Sequence, residues 1–485
     1  MKFMSSALSL ILCLMATGCA KNYQEVIEGL DAKEQSVIKH HAILIHKDGK
    51  YIPQGNIQEL PEQRDIIFEQ IQTFLKGGGA CDPIPDNKNI LIYIHGGLNS
   101  EDVAIRRAIK ATQQMIPDPQ KLACAKTYPI FINWRSGPVT TLGDHYFRIR
   151  DGEEDKTAPF TSPIYFLGDL ARTVGNTPMA WCHEGYQVIN ASHSSALDLL
   201  GKDPEHLKKE AKENKLVFDS AKDEKNRWNL WRRAVWVVTA PFKIISTPFA
   251  FTLGTPAWDN MKRRTHTMFT PQPKDKTAGL QPDGDTRKFL KELNAHVKKI
   301  RSEGNQEFEL TLMGHSMGGI VLNRALRDLS DDLTEVDNIV YMASADNLQN
   351  YLDATIPMIK KAVDHQKKPP QIYNLHLHPE NEDREISSCG LAPSGSLLAW
   401  IDHTYDTPEY VLQRTSGRWT NIRRVHNLIP TELRENYHFR VFERGSSKKR
   451  PQTHGSFDDF NFWDKSFWNG TKEPQSWNKT TSICQ

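Results

Sequence analysis

Apolar and polar positions follow two rhythms along this chain. Short, nearly continuous apolar runs occur within 89–97, 128–137, 308–319, 338–345, 372–378 and 439–443. Runs of that length, bounded by polar or glycine-rich stretches, predict strands buried on both faces. Between them, at 61–75, 101–116, 284–304, 320–330 and 348–364, apolar residues recur every three or four positions and predict helices. Strand, helix and strand in that order, with short connections, build a parallel sheet flanked by helices. Ahead of these, residues 41–53 read as two short strands around an Asp48-Gly49 turn.

The rhythm stops at Gly137 and resumes at Gly284. The expected organisation is therefore an α/β core in two parts, 41–137 and 284–485, carrying an insertion at 138–283. Residues 200–227 of the insertion are crowded with Lys and Glu and predict a solvated helical face. Residues 228–258 are the reverse: Trp228, Trp231, Trp236, Phe242 and Trp258 gather there, and Lys243 is the only charge between Ala234 and Trp258. Pro241 and Pro248 argue against a continuous membrane-spanning helix. Three readings stay open for this stretch: a lid lining an acyl pocket, a membrane-contact segment, or a buried cap.

Composition narrows the class. The chain has 485 residues, 38% hydrophobic and 25% charged, which is globular composition. Lys and Arg number 61 against 59 Asp and Glu, a formal charge of +2, so charge gives no case for a nucleic-acid partner. The mean hydropathy of -0.56 excludes a multi-span membrane protein.

The first 20 residues add a destination. Lys2, the apolar run Ala7–Met15 and the small residues Ala16, Thr17 and Gly18 lead to Cys19, the pattern of a secretory signal. The segment resembles the lipobox of bacterial lipoproteins, with Ala16 where that family prefers Leu. The resemblance implies a signal peptide over 1–18, a lipidated Cys19, a tether over 19–40, and attachment to a membrane of the bacterial cell envelope. Ala20, where an Asp would retain such a protein, points to the outer membrane. Of seven cysteines, removal of Cys13 and Cys19 leaves five in an oxidising compartment. Cys81 and Cys124 each precede a strand-like run and are the candidate disulfide, since parallel neighbours would put them at one end of the sheet.

The chemistry centres on Gly314-His315-Ser316-Met317-Gly318, a G-x-S-x-G sequence between a predicted strand and a predicted helix. That context presses a serine into a sharp turn with its hydroxyl exposed, so Ser316 is the candidate nucleophile. A serine needs an imidazole to take its proton and a carboxylate to orient the imidazole. His454 alone among the later histidines lies beyond the last predicted strand; His438 sits at that strand's start and His426 before it. The acid belongs just past a late strand: Glu380, Glu382 and Asp383 follow one and Asp346 the strand before it, and Asp383 is preferred, with Glu382 and Asp346 as alternatives, because Asp-Arg-Glu-Ile-Ser resembles the acid loop of lipase-like hydrolases. The oxyanion donors are the N–H of Met317 and that of Gly97, in the His95-Gly96-Gly97-Leu98 loop, with His95 structural. His376, His378, Glu380 and Glu382 alternate as a metal array would, but Pro379 interrupts the strand, so no metal is expected. Gly77–Gly79 lack the Lys-Ser/Thr of a phosphate loop, and no cofactor is expected.

Together the strand-HGG loop, GHSMGG, the Asp383 loop and the terminal HGSFDDFNFW resemble the bacterial α/β-hydrolase family of lipase-like proteins, over 89–137 and 284–470. The resemblance implies an α/β-hydrolase fold, Ser316, His454 and Asp383 as a triad, and hydrolysis of a carboxylic ester. A lipid or acylated substrate follows from the apolar stretch and the anchor. The alternative is an envelope lipoprotein that uses the scaffold as a non-catalytic binding module.

Overall fold

The computed structural model describes residues 23–76, 85–150, 153–192, 217–218, 230–270, 283–304, 307–385, 395–406, 408–423 and 425–477. In chain order the strands are β1 (Ala42–Ile45), β2 (Lys88–Ile94), β3 (Thr127–Trp134), β4 (Ile149–Arg150), β5 (Glu153–Glu154), β6 (Val217–Phe218), β7 (Phe308–His315), β8 (Asn338–Met342), β9 (Gln371–Leu377) and β10 (Tyr437–Phe442). The helices are α1 (Tyr23–Glu28), α2 (Ala32–His41), α3 (Leu60–Lys76), α4 (Glu101–Met115), α5 (Pro138–Phe147), α6 (Ala158–Ser192), α7 (Leu230–Thr267), α8 (Asp285–Glu303), α9 (Gly318–Asp328), α10 (Leu348–Asp364) and α11 (Pro379–Arg384), with shorter turns among them. Every core element expected from the periodicity is present, displaced by two residues or fewer at most ends.

The described residues fall into two compact units: one drawn from 23–88, 95–168 and 256–296, the other from 89–94, 169–255 and 297–477. In the first unit β1 and β3 pair in parallel, with Ala42 opposite Phe131 and Ile45 opposite Trp134. All residues of both strands are buried, as their uninterrupted apolar sequences require. The hairpin expected at 41–53 shrinks to a turn: Tyr51 makes only an isolated antiparallel bridge to Ile45. Gly49 holds that turn at φ +80°, and a Cβ there would fall 1.9 Å from the carbonyl oxygen of Thr267.

Residues 23–41, expected within a tether, instead form α1 and α2. Tyr23, Val26 and Ile27 of α1 and Val37 and Ile38 of α2 are buried. The start of α2 is fixed by a reciprocal cap, in which Asp31 accepts from the N–H of Glu34 and Glu34 accepts from that of Asp31. The ends of the expected insertion also join this unit. Arg264 Nη2 donates to Asp144 Oδ2 at 2.6 Å and Arg264 Nη1 to Thr141 Oγ1 at 2.8 Å, with both charged side chains almost fully buried. An ion pair so enclosed holds its geometry because losing either partner strands a charge.

In the second unit β2 lies beside β7, and the order continues β8, β9, β10. Thr311 pairs with Asn338, Asn338 with Gln371, and Ile372 with Tyr437, all in parallel. α9 packs on β7 and α10. The insertion adds the edge: Val217 and Phe218 pair in parallel with Arg440 and Val441. That short strand replaces helix at two of the residues expected to form a charged helical face; the rest of 200–227 lies outside the described residues.

α7 runs unbroken from Leu230 to Thr267 through Pro241 and Pro248, against the expectation that these prolines would interrupt it. A long helix absorbs a proline by bending where the hydrogen bond is lost. Among the described residues no helix is long and apolar enough to cross a membrane. Gly254 lets α7 approach Tyr405, whose ring would lie 2.3 Å from a Cβ at that position. Trp258 is buried, which suits the cap reading at that residue. Trp228 and the aromatic side chains at 231, 236 and 242 lie outside what is described.

Candidate active site

β7 ends in a turn that the sequence forces. Ser316 has φ +52°, a left-handed conformation in which a non-glycine residue is strained. Three main-chain bonds hold it there. Ser316 N donates to Met342 O, and Gly319 N and Ala345 N both donate to Ser316 O, each at 2.9 Å. Gly314 is needed two residues earlier, because a Cβ there would lie 2.6 Å from Gly318 O; Gly319 is needed on the far side, where a Cβ would meet Ser344 Oγ at 2.2 Å. The motif names the first of these requirements and omits the second.

His454 opens a short helical turn, His454–Asp459, after β10. Its Nε2 is 2.8 Å from Ser316 Oγ, although 138 residues separate them. With the hydroxyl donating, Nε2 is the acceptor and the neutral ring carries its proton on Nδ1. Burial, reinforced by neighbouring His315 and opposed by Asp458, lowers the imidazole pKa to about 3, so the ring is neutral at pH 7. A neutral imidazole on a serine hydroxyl is what proton abstraction needs. His315 braces this histidine by donating from Nε2 to the His454 carbonyl at 3.0 Å, and its Nδ1 lies 3.7 Å from Asp458 Oδ2. Tyr93 donates to the same carboxylate oxygen at 3.3 Å.

The carboxylates are distributed differently from the sequence expectation. Asp383 accepts from Arg418 Nη2 at 3.1 Å, and Arg418 Nη1 holds Asp402 at 3.1 Å. Glu382 is bound by the hydroxyl of Ser396, and burial raises its pKa to about 7 against the lowering effect of Arg418. Asp346 is occupied by the amides of Asn323 and Asn350 and by the N–H of Asn347, at 2.7–2.9 Å. None of the three bonds His454 Nδ1, which has no hydrogen-bond partner among the described residues.

The carboxylate that does reach this histidine is Glu385, whose Oε2 accepts from the His454 backbone N–H at 2.7 Å. Burial raises the Glu385 pKa to about 8, the His454 N–H opposing and Glu382 adding to the shift. No sequence signal singled it out, because Glu380, Glu382, Asp383 and Glu385 crowd into six positions after β9 and differ only in what they meet.

Met317, one expected oxyanion donor, follows Ser316 directly and is the N-cap residue of α9. Gly97, the other, belongs to the first unit. Its loop is held by Leu98 N donating to Ser136 O at 3.0 Å. His95 is structural, as expected: its Nε2 accepts from Trp134 N at 3.2 Å and its Nδ1 donates to Gly96 O at 2.7 Å, which fixes the tautomer. The alternating array after β9 is consumed by ordinary contacts. His376 donates to Gly417 O, His378 caps Glu380 N, and Glu380 pairs with Arg444. No cluster able to hold a metal occurs among the described residues.

Cys124 is disulfide-bonded. Cys81, its expected partner, and Cys19, the expected lipidation site, lie outside the described residues, as does the whole signal segment.

No curated protein and no solved structure matches the chain. Residues 270–350, which include β7, the Ser316 turn, α9 and β8, match the model of a family described as alpha/beta hydrolase. With that match, a parallel sheet flanked by helices, and a serine turn at the end of β7, the chain has an α/β-hydrolase fold.

Proposed function

We propose that the protein is a serine hydrolase that cleaves carboxylic esters and is held at the bacterial cell envelope through a lipid on Cys19. The observation that carries the reading is the 2.8 Å contact between His454 Nε2 and Ser316 Oγ. His454 takes the hydroxyl proton as Ser316 attacks the ester carbon, and a tetrahedral oxyanion forms, stabilised by the N–H of Met317. The imidazolium then returns its proton to the leaving alcohol. Water, activated by the same histidine, releases the acid from the acyl-enzyme and restores Ser316.

We assign orientation of the imidazole to Glu385 rather than Asp383. Glu385 already accepts the backbone N–H of His454, and the Nδ1–H of the same residue is without a partner among the described residues for it to take up. Asp383, held by Arg418, would have to give up a guanidinium to do so. A lipid or acylated substrate is supported by the apolar stretch at 228–258.

Fluorophosphonate labelling tests the whole reading. Wild-type protein labels and Ser316→Ala does not. Absent labelling of the wild type, or labelling of the variant at an equal rate, returns the chain to the class of non-catalytic binding modules.

A further inference from the structure

The long helix α6 carries a face that the fold leaves bare. Phe160 is 85% exposed, Ile164 70%, Leu167 62% and Val174 70%. Their spacing of four, three and seven residues sets them in one line along the helix, about 21 Å long at 1.5 Å per residue. Soluble surfaces carry scattered apolar residues; a straight row of large ones marks a contact. The opposite side of the same helix is covered: Ser162, Asp169 and Thr173 are all buried, and Ser162 Oγ donates out of the helix to Tyr146 O.

We infer that this row lies on a lipid bilayer, with the helix parallel to the membrane and its apolar side chains sunk into the headgroup boundary. Three features favour that occupant. Asp169, Arg172, His183 and Glu184 are the only acidic or basic residues of the 35 in α6, and Asp169 and Arg172 pair at 3.8 Å, so little charge must be stripped of water. Second, a partner helix would need side chains to interdigitate. Here Gly168 and Gly175 offer none, with open space around both, and the row passes over Ala171 between Leu167 and Val174. Third, Tyr23, which belongs to the same unit as the exposed Phe160, Ile164 and Leu167, is four residues from Cys19, at most about 14 Å of chain. An acyl chain there and the row on α6 would act on one bilayer as two weak anchors that together bind firmly.

The inference is independent of catalysis, and its test removes the acyl group. The mature chain from residue 19, carrying Cys19→Ser, is sedimented with vesicles of phosphatidylcholine alone and of phosphatidylethanolamine and phosphatidylglycerol at three to one. The expected result is binding to both compositions that persists in high salt and falls at least tenfold when Phe160→Gln, Ile164→Gln and Leu167→Gln are combined. These exposed positions leave the core untouched, and an unchanged melting temperature verifies folding. Absence of vesicle binding by the Cys19→Ser chain overturns the proposal, as does equal binding by the triple variant. A self-associating chain that the triple variant renders monomeric, with no vesicle binding in either, overturns it in favour of a second copy.

Discussion

Two turns follow parallel strands of the second unit and both serve His454, yet they are built on opposite principles. The turn after β7 is made of main chain: Ser316 is fixed by three backbone bonds, and the clearances at Gly314 and Gly319 leave it no alternative. The segment after β9 is made of competing side chains. Four carboxylates lie between 380 and 385, and Arg444, Ser396, Arg418 and His454 divide them. The first arrangement is specified by residues that tolerate no substitute. The second is specified by which cation or hydroxyl gets to which acid, and neighbouring acids can exchange roles with little change in local sequence.

Three substitutions or conditions would sharpen or break that contrast. The largest effect belongs to Glu385→Gln, which should lower kcat about 10²–10⁴-fold with KM little changed, because it removes stabilisation of the imidazolium and not of bound substrate. Glu385→Asp should recover part of the loss, and Asp383→Asn should cost less than about tenfold, since its contact with His454 is indirect. If Asp383→Asn is the more damaging of the two, the carboxylates are shared otherwise in the working enzyme, and the distinction between the two turns loses its basis. Fluorophosphonate labelling of wild-type Ser316 separates that outcome from an absence of catalysis.

Next is Gly314→Ala. A Cβ 2.6 Å from Gly318 O must push the turn outward, and a displacement near 1 Å at a reacting group costs on the order of 10²-fold in rate. Overpacking of this kind also destabilises by roughly 1–3 kcal/mol. Steady-state kinetics and thermal melts read both, and a variant of normal activity would mean that the turn is less constrained than its main-chain bonds imply.

The smallest effect, read over the single unit from pH 7 to pH 8, is that of pH. Glu385 has a carboxyl raised to about 8, with the His454 N–H and the Glu382 carboxyl as its close polar neighbours, His315 and Asp458 around the ring it serves, and Arg418 behind Glu382. Below that pH the group is neutral and orients an imidazolium poorly. kcat/KM should therefore climb about tenfold per unit of pH toward 8 and level above it, and the limb should vanish in Glu385→Gln. Stability runs the other way. The folded pKa lies above the ordinary value of 4.5, so the protonated folded state is favoured; this contribution is complete below 4.5 and declines as pH rises through 8. Denaturant melts at pH 5 and pH 8 should differ in that direction, and less so in the Gln variant.

The same contrast accounts for what the sequence made legible. The strands of the core, the Ser316 turn and the position of His454 beyond the last strand all rest on apolar periodicity or on glycine, which act locally and leave a pattern. Glu385 rests on a contact across 69 residues and leaves none. The strand at Val217–Phe218 leaves no pattern because two residues are too few to show alternation amid Lys and Glu. By contrast α2 carries a signal, the Asp31-Ala32-Lys33-Glu34 capping pattern, in a stretch where a lipidated cysteine upstream predicts only a tether. The continuity of α7 runs against the proline rule, which describes a local cost and not a prohibition.

The left-handed backbone of Ser316 sets two demands on one residue against each other. A serine held at φ +52° costs the folded state about 1–3 kcal/mol that glycine would largely recover. Selection for heat resistance alone would accordingly carry this position toward glycine, and the population that survived best would be the one that had discarded its nucleophile.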